Sequence, residues 1–346
     1  MSVIELVIEK LTHGGRGMGR LDGKAVFVPL TCPGDLARCR VTRDKGRFAE
    51  AELVELITPS PQRREPPCPL FGQCGGCQGH HMPYPLQGEW KKQIFTELLT
   101  HRNVVEESCI GPLLAASNEF AYRNRVQFKC RATEAGVVLG FFRAGSHFVV
   151  DAERCLLVPE PIQDVFVRMR RALQSVPVPD AIPQVDISCD AAGAVEVIVH
   201  ALPAALKALS PWLKDAARAG GFTALLQSGR KQSLQPVYGP VGLVQQVGSE
   251  PVYLQAGPGC FTQVNPDQNS RMVDYVLQLA ALRGTERVLG LFCGNGNFSL
   301  PLARQSREVV GVENYAPSIT YARQNAVDND IDNVAFFAEY AHGAAL

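Results

Sequence analysis

The alternation of apolar strands and helices over residues 257–346 constrains the fold of this chain more than any other feature. ERVLGLFCGNGNFSLPLAR contains an apolar strand, a glycine turn and the start of a helix, and REVVGVENYAPSITYARQNAVDND adds a second strand and helix. NVAFFAEYAHGAAL supplies a third strand, and GPGCFTQVNPDQNSRMVDYVLQLAAL before them predicts a turn, a short strand and an amphipathic helix. Such alternation is typical of the first half of a doubly wound parallel sheet.

The turn Gly294-Asn295-Gly296 predicts a nucleotide-containing ligand at the carboxyl edge of this sheet. Glu313 lies nineteen residues after Gly294, at the end of the second strand, where a carboxylate can bind two ribose hydroxyls. Both a nicotinamide dinucleotide and S-adenosylmethionine need such an acid, so the spacing leaves both open. Asn297 and Phe298 crowd the turn, whereas a pyrophosphate requires bare amides, and this favours S-adenosylmethionine.

Three of the eleven cysteines are clustered in CPLFGQCGGCQGHH, and the cluster predicts a metal site. Cys68, Cys74 and Cys77 lie within ten residues, and the two glycines between the last pair permit a tightly wrapped backbone. Zinc sites usually show two cysteine pairs or one pair with spaced histidines, whereas three cysteines and a distant fourth are typical of an iron–sulfur cubane. Cys155, in DAERCLLVPEP, is the best candidate for the fourth ligand. We favour a [4Fe–4S] cluster, with zinc or unligated thiols as alternatives, and interpret the two histidines after the cluster as neighbouring or surface groups.

Residues 3–58 contain short apolar segments separated by Gly and Asp turns, which predicts a small closed antiparallel β-barrel. Its basic residues could hold a nucleic-acid backbone, but acidic residues are nearly as numerous, so an ordinary solvated surface is the alternative. The Pro-rich segment TPSPQRREPP predicts a linker. The apolar residues of 86–102 recur at helical spacing, which predicts a helix there. We predict domain boundaries at 1–58 for the barrel, 59–85 for the linker and cysteine loop, 86–255 for a central α+β region and 256–346 for the nucleotide-binding domain.

The segment FAYRNRVQFKCRA, residues 120–132, mixes basic and aromatic side chains on one predicted strand. Arg123, Arg125 and Lys129 have no acidic neighbour in this segment and alternate with Tyr122 and Phe128. Such groups can contact phosphates and stack on bases. An exposed sheet face without a ligand is the alternative.

Composition excludes several classes of protein. Thirty-four basic and thirty-four acidic residues give a net charge of zero, which excludes a histone-like polycation. No stretch approaches eighteen consecutive apolar residues, and charged residues interrupt the N-terminal segment where a secretory signal would be apolar. We expect a soluble, multidomain, cytoplasmic protein with no membrane partner and no obligate protein partner.

The motifs CxxxxxCGGC, YRNRVQF, FTQVNP, LFCGNGNFSLPLA and GVE, in this order, resemble the RNA uracil-5-methyltransferase family. The likeness is to its iron–sulfur, TRAM-domain branch, which modifies 23S ribosomal RNA. The resemblance implies a multidomain α/β protein with an OB-like TRAM barrel, a central α+β region that faces RNA and carries the iron–sulfur loop, and an incomplete Rossmann-like methyltransferase domain. The implied ligands of the cluster are Cys68, Cys74, Cys77 and Cys155. The implied contacts of S-adenosylmethionine are Gln263, Phe292, Gly294, Gly296, Asn297 and Glu313. The implied RNA contacts are Arg123 and Arg125, with Lys129 further along the same strand, close to an unstacked uridine.

The resemblance also implies a chemical mechanism. A cysteine thiolate adds to carbon 6 of uracil, carbon 5 attacks the sulfonium methyl group, and a carboxylate base removes the proton from carbon 5 before the thiolate leaves. The family's nucleophilic cysteine and glutamate base follow the matched motifs, so we expect both beyond Leu346. Cys293 and Cys260 are unsupported as nucleophiles, and we expect burial for both. Two other function classes stay open, a non-catalytic RNA-binding iron–sulfur protein and a nicotinamide-dependent or iron–sulfur oxidoreductase.

Overall fold

The structure, a computed structural model, describes residues 2–101, 104–229 and 233–341 and contains two compact units. One unit consists of Met1–Ala115 and Phe141–Val150, and the other of Ala116–Gly140 and Asp151–Leu346.

The strands are β1 (Val3–Val7), β2 (Lys10–Leu11), β3 (Gly17–Leu21), β4 (Lys24–Val28), β5 (Leu36–Asp44), β6 (Phe48–Thr58), β7 (Arg125–Thr133), β8 (Gly136–Phe142), β9 (Val149–Asp151), β10 (Gln184–Cys189), β11 (Val195–His200), β12 (Thr223–Gln227), β13 (Gln235–Tyr238), β14 (Leu243–Val247), β15 (Val252–Ala256), β16 (Arg287–Leu291), β17 (Glu308–Val312) and β18 (Val334–Phe337). The α-helices are α1 (Tyr84–Thr100), α2 (Glu160–Leu173), α3 (Leu206–Gly220), α4 (Pro266–Ala280), α5 (Ser299–Ala303) and α6 (Ala316–Asp328). Within the described ranges, none of these helices has the length and apolar character needed to cross a bilayer.

The strands β1–β6 form one sheet in the order β1-β5-β6-β4-β3-β2. The two edge strands, β1 and β2, are separated in sequence only by Ile8 and Glu9, so the sheet curls into a barrel, and the N–H of Glu9 donates to the carbonyl of Met18 at 2.8 Å. The barrel core consists of Leu6, Ile8, Val26, Val28, Ala37, Cys39, Ala49 and Ala51. The prediction of purely antiparallel pairing is wrong, because β6 inserts between β5 and β4 and pairs with β4 in parallel.

A buried carboxylate fixes the segment that follows the barrel. Asp35 is fully buried and accepts hydrogen bonds from the N–H of Cys32 at 2.6 Å and the N–H of Ser60 at 2.8 Å. Arg63 Nη1 donates to the same carboxylate at 2.6 Å. The Pro-rich segment predicted as a linker is therefore attached to the barrel at Ser60 and Arg63.

The helix predicted from the apolar spacing of residues 86–102 is observed as α1. Residue 102 lies outside the described residues. A proline lies in the first turn of α1, where it is favourable because the first N–H groups of a helix have no intrahelical partner. Leu86, Trp90 and Ile94 of α1 pack against a small buried cluster that contains Leu11 and Met82.

The central sheet of the second unit has the strand order β13-β12-β11-β10-β7-β8. Val126, Phe128 and Cys130 of β7 are buried, whereas the residues between them point to the opposite face, because successive side chains of a strand alternate. The Phe128 ring stacks on Phe166 of α2, with 4.2 Å between ring centroids. One face of the sheet is thus covered by helices, and the other carries Arg125, Gln127 and Lys129.

The C-terminal part of the second unit contains the predicted order of strand, helix, strand, helix and strand. The strands β16, β17 and β18 pair in parallel, and β14 and β15 form a separate antiparallel hairpin. Apolar residues of the hairpin, the strands and the helices α4–α6 share one core. The short strand predicted before α4 is wrong, because residues 257–265 form a turn and an irregular segment that ends at Asn265, the N-cap of α4.

Candidate functional site

The glycine turn between β16 and α5 has a backbone that restricts which residues fit. Phe292, Gly294 and Gly296 all have positive φ, at 55°, 57° and 101°. A Cβ atom at Gly296 would lie 2.9 Å from the side chain of Leu300, so this position requires glycine for both its dihedral angle and its neighbour. The N–H of Cys293 donates to the carbonyl of Val312 at 3.1 Å, which ties the turn to the end of β17.

Glu313 lies at the carboxyl edge of the sheet beside this turn. Leu291 and Val312 are paired in the parallel register of β16 and β17, so the residues after them emerge at the same edge. One carboxylate oxygen of Glu313 accepts the N–H of Tyr315 at 2.9 Å, which orients the carboxyl group. The structure therefore brings together the glycine turn and the acidic residue that the sequence predicted as one site.

Two asparagine pairs hold the turn in place, and neither was predicted from the sequence. Asn297 and Asn269 of α4 exchange amide hydrogen bonds of 2.7 and 3.0 Å. Asn295 and Asn325 of α6 both donate to the carbonyl of Gln255, at 3.2 and 3.0 Å. The side chain of Asn297, predicted as a cofactor contact, is thus bonded to a helix. No periodic signal marks such pairs, because each joins residues distant in sequence.

The segment that contains FTQVN contacts α6, the helix that follows Glu313. A Cβ atom at Gly257 would lie 2.1 Å from the ring of Tyr321, so this segment packs directly on α6. Gln263 is half-buried in it. Phe261 is 71% exposed and Phe292 is 77% exposed, and an exposed aromatic ring can stack on a planar group. Phe261 is a candidate that was not predicted from the sequence.

The basic strand also contacts the FTQVN segment. The N–H of Asn124 donates to the carbonyl of Val264 at 2.9 Å, and Arg125 Nη1 donates to the carbonyl of Cys260 at 3.3 Å. Arg123 Nε donates to the carbonyl of Arg125 at 3.0 Å. The candidate RNA contacts therefore adjoin the segment that contains the candidate cofactor contact Gln263 within the second unit.

Neither thiol beside this site has the properties of a nucleophile. Burial, followed by the nearby Glu313 carboxylate, raises the pKa of Cys293 to about 12. Cys260 is 2% exposed. Since the thiolate is the reactive form, Cys293 is a poor nucleophile at neutral pH. The expected burial is observed for Cys260, whereas Cys293 is only half-buried.

The cysteine loop belongs to the first unit, where a backbone pairing shapes it. The N–H of Gly75 donates to the carbonyl of Phe142 at 2.9 Å, and a Cβ atom at Gly75 would lie 2.9 Å from that same oxygen. Burial, opposed by a hydrogen bond from Gly76 and reinforced by the neighbouring Cys68, raises the pKa of Cys74. Cys68 and Cys74 are thus close enough to interact, and thiols are suitable donors for iron or zinc.

Other observations do not complete a metal site. Across the parts of the chain that the structure describes, no group of three or more His, Cys, Asp and Glu side chains is arranged to hold a metal ion. Cys155 lies in the second unit, where its N–H donates to Gln163 Oε1 at 3.1 Å. His80 and His81 are buried and pack against Phe71, so the surface interpretation of these histidines is wrong.

Comparison with known proteins decides between the families that this geometry leaves open. Residues 1–54 match the TRAM domain family, and residues 222–342 match the tRNA (Uracil-5-)-methyltransferase family. The 23S rRNA (uracil(1939)-C(5))-methyltransferase RlmD of Alkalilimnicola ehrlichii is 36% identical over 337 residues, which are 96% of this chain and 75% of that protein. This chain belongs to the RNA uracil-5-methyltransferase family.

Further comparisons support the same family and fold. RlmD of Pseudomonas savastanoi pv. phaseolicola is 35% identical over 335 residues, covering 96% of this chain and 73% of that protein. A solved structure is similar as well, that of Pyrococcus abyssi tRNA (uracil-54, C5)-methyltransferase in complex with S-adenosyl-L-homocysteine. The match has a TM-score of 0.72 and 21% sequence identity, and it covers 96% of this chain and 79% of that chain. This likeness supports the fold. Family membership favours the methyltransferase interpretation over an oxidoreductase. The iron–sulfur branch and the assignment of individual residues stay predictions.

Proposed function

We propose that the protein uses S-adenosylmethionine to methylate carbon 5 of a uridine in 23S ribosomal RNA. One observation carries the proposal, namely that the glycine turn adjoins Glu313 in a family member, and that the FTQVN segment contacts the arginine strand within the same unit. The RNA substrate follows the names of the relatives, which act on uridine 1939.

Six residues of the second unit are proposed to bind the cofactor. Glu313 is oriented by the Tyr315 N–H to accept hydrogen bonds from ribose hydroxyls. The strained turn supplies backbone N–H groups, with Phe292 as an exposed ring beside it. Bound S-adenosylmethionine would supply an electrophilic methyl group. The proposed contacts are Gln263, Phe292, Gly294, Gly296, Asn297 and Glu313.

Arg123, Arg125 and Lys129 are proposed to bind the RNA. Arg125 and Lys129 lie on β7 and Arg123 lies two residues before it, and Arg125 adjoins Phe261 through its hydrogen bond to the Cys260 carbonyl. Guanidinium and ammonium groups bind phosphates, and an exposed aromatic ring can stack on an unstacked base. The TRAM barrel is proposed as a second RNA-binding surface.

The proposed reaction proceeds through a covalent adduct. A cysteine thiolate forms a bond to carbon 6, and carbon 5 takes the methyl group from the sulfonium, which leaves as S-adenosylhomocysteine. A carboxylate base then takes the proton from carbon 5, and the bond between sulfur and carbon 6 breaks. We propose that residues 1–346 contribute the binding of the cofactor and of the RNA to this reaction.

We also propose that Cys68, Cys74, Cys77 and Cys155 hold a [4Fe–4S] cluster. The interaction of Cys68 with Cys74 and the tight backbone at Gly75 support three of these ligands. Protein purified without oxygen should contain iron and acid-labile sulfide, and Cys74→Ser should lose both. Zinc in place of iron would contradict the proposal.

The function is tested with protein purified from its own cells. Incubation with methyl-labelled S-adenosylmethionine and a 23S rRNA transcript should place label on carbon 5 of uridine. A transcript containing 5-fluorouridine should trap the covalent adduct, because carbon 5 then carries no proton to remove. Binding of the transcript without transfer of label would instead favour the alternative, a non-catalytic RNA-binding iron–sulfur protein.

A further inference from the structure

A buried carboxylate lies at the centre of the polar face of the central sheet. Asp186 of β10 is 2% exposed and is paired directly with Gln127 of β7. Its neighbours along β10 on the same face pair with the two basic residues of β7, Gln184 with Lys129 and Ser188 with Arg125. Asp186 therefore lies between the basic side chains that we propose to bind RNA.

Four side chains converge on this carboxylate. Gln184 Nε2 donates to Oδ1 at 2.6 Å, and Gln127 Nε2 donates to Oδ2 at 3.2 Å. Arg125 Nη2 and His200 Nε2 lie 3.5 and 3.3 Å from Oδ2. Lys129 Nζ in turn donates to Gln184 Oε1, so Lys129 is connected to Asp186 through one amide.

The charge of Asp186 is maintained despite its burial. Burial alone raises the pKa of this carboxyl, but the bonds and charges of His200, Gln184 and Arg125 outweigh it and leave the pKa below its ordinary value. A buried ionised group costs several kcal/mol of desolvation, and an apolar side chain would cover the sheet without that cost. A role in stability alone therefore does not account for this arrangement.

The consequence for Arg125 is a fixed guanidinium. One nitrogen faces Asp186 and the other donates to the carbonyl of Cys260, while 24% of the side chain is exposed. An arginine has five N–H donors, and these two contacts occupy a minority of them. A side chain fixed in this way loses less conformational entropy when it binds a phosphate.

We propose that Asp186 is a positioning residue for RNA binding, which holds Arg125 directly and Lys129 through Gln184 in the geometry that contacts RNA phosphates. The inference rests on the proposed function, because it takes this face of the sheet as the RNA site. It assigns Asp186 no direct contact with RNA.

The direction in which one substitution changes the RNA affinity separates positioning from simple electrostatics. Asp186→Asn removes a negative charge near the RNA, so charge alone predicts tighter binding. Loss of the anchor of Arg125 predicts binding weaker by about tenfold. The measurement is the fluorescence anisotropy of a labelled 23S rRNA transcript containing uridine 1939, titrated with the full chain at several salt concentrations. We expect weaker binding and a salt slope lower by about one, as for Arg125→Gln.

A second variant covers the case in which Asp186→Asn does not fold. Gln184→Ala leaves the net charge unchanged and removes the link between Asp186 and Lys129, so we expect binding weaker by about threefold. The matched control is Asp151→Asn. In the unaltered chain the Asp151 carboxylate bonds to Arg170 of the same unit. We expect the RNA affinity and the salt slope of this variant to match those of the unaltered chain.

Double substitution and the control variants separate the two proposals. Because Asp186 acts partly through Arg125, the loss of affinity in Asp186→Asn combined with Arg125→Gln should be smaller than the product of the two single losses. Tighter binding by Asp186→Asn, or unchanged binding by Gln184→Ala, would overturn the positioning role alone. Unchanged binding by Arg125→Gln would instead remove this face as the RNA site, which is a failure of the proposed function.

Discussion

Glu313 is the single residue on which the cofactor site depends most. Glu313→Gln keeps the shape of the side chain but removes the charge that strengthens hydrogen bonds to ribose hydroxyls. We expect the affinity for S-adenosylmethionine to fall by about tenfold or more, measured by isothermal titration calorimetry.

The control for Glu313 is Glu308, at the other end of the strand that precedes Glu313. Glu308 begins β17 and pairs with Arg287 at 2.8 Å, at the opposite end from the glycine turn. Glu308→Gln should bind S-adenosylmethionine as the unaltered chain does. Equal affinity of all three proteins would remove Glu313 from the site.

The thiol of Cys293 gives a second prediction for a single residue. Its pKa of about 12 leaves almost no thiolate at pH 8, whereas Cys109 is exposed. In the folded protein we expect iodoacetamide to modify Cys109 at least about tenfold faster than Cys293, measured by peptide mass spectrometry. Both should react at similar rates in urea, and equal rates in the folded protein would contradict the raised pKa of Cys293.

His81 predicts an acid-sensitive first unit. Burial lowers the pKa of His81 to about 4, whereas the unfolded chain takes up this proton near 6.5. Between these pH values the unfolded state binds more protons, so stability falls as the pH falls through this window, by about 3 kcal/mol in total. Below about pH 4 the contribution of His81 is constant.

The acid sensitivity is measured by urea unfolding, followed by Trp90 fluorescence in a Trp212→Phe background. His81→Gln keeps a donor toward the Thr31 carbonyl and should remove the His81 contribution between pH 4 and 6.5. His13→Gln, at an exposed histidine of the same unit, should leave the pH dependence between pH 4 and 6.5 unchanged. The same pH dependence in His81→Gln would show that other groups cause it.

At the level of elements, the turn between β16 and α5 makes a prediction about its two glycines. Gly294 has a φ of 57° and no neighbour near the position of a Cβ atom, so Gly294→Asn should cost less than about 1 kcal/mol. Gly296 has a φ of 101° and faces Leu300 at 2.9 Å, so Gly296→Ala should cost about 1–3 kcal/mol. Thermal unfolding compares the two variants, and equal losses would contradict the described turn.

The elements themselves were predictable where a local pattern determines them. Apolar runs bounded by glycine and polar turns predicted β16, β17 and β18, and helical spacing predicted α1. The strand predicted at FTQVN failed because Pro258 and Gly259 form a turn, and the backbone beyond it bonds to Asn124 of another segment. A contact over that sequence distance leaves no periodic signal.

On the scale of the whole molecule, the order of motifs predicted the family, and the structure added contacts that no motif contains. Glu313 and the glycines were predictable because their spacing is local. Asp186, Asn269 and Asn325 were not, because each acts through partners from distant segments. The parallel pairing of β4 with β6 was missed for the same reason, since it depends on strand order and not on alternation.

The central claim, methylation of a uridine in 23S rRNA, is tested most directly in the cell. Ribosomal RNA from cells with and without the intact gene is digested, and the fragment that contains uridine 1939 is analysed by mass spectrometry. We predict 5-methyluridine in the parent, its absence after deletion, and its return when the full gene is restored. Unchanged methylation in the deletion strain would contradict the proposed function.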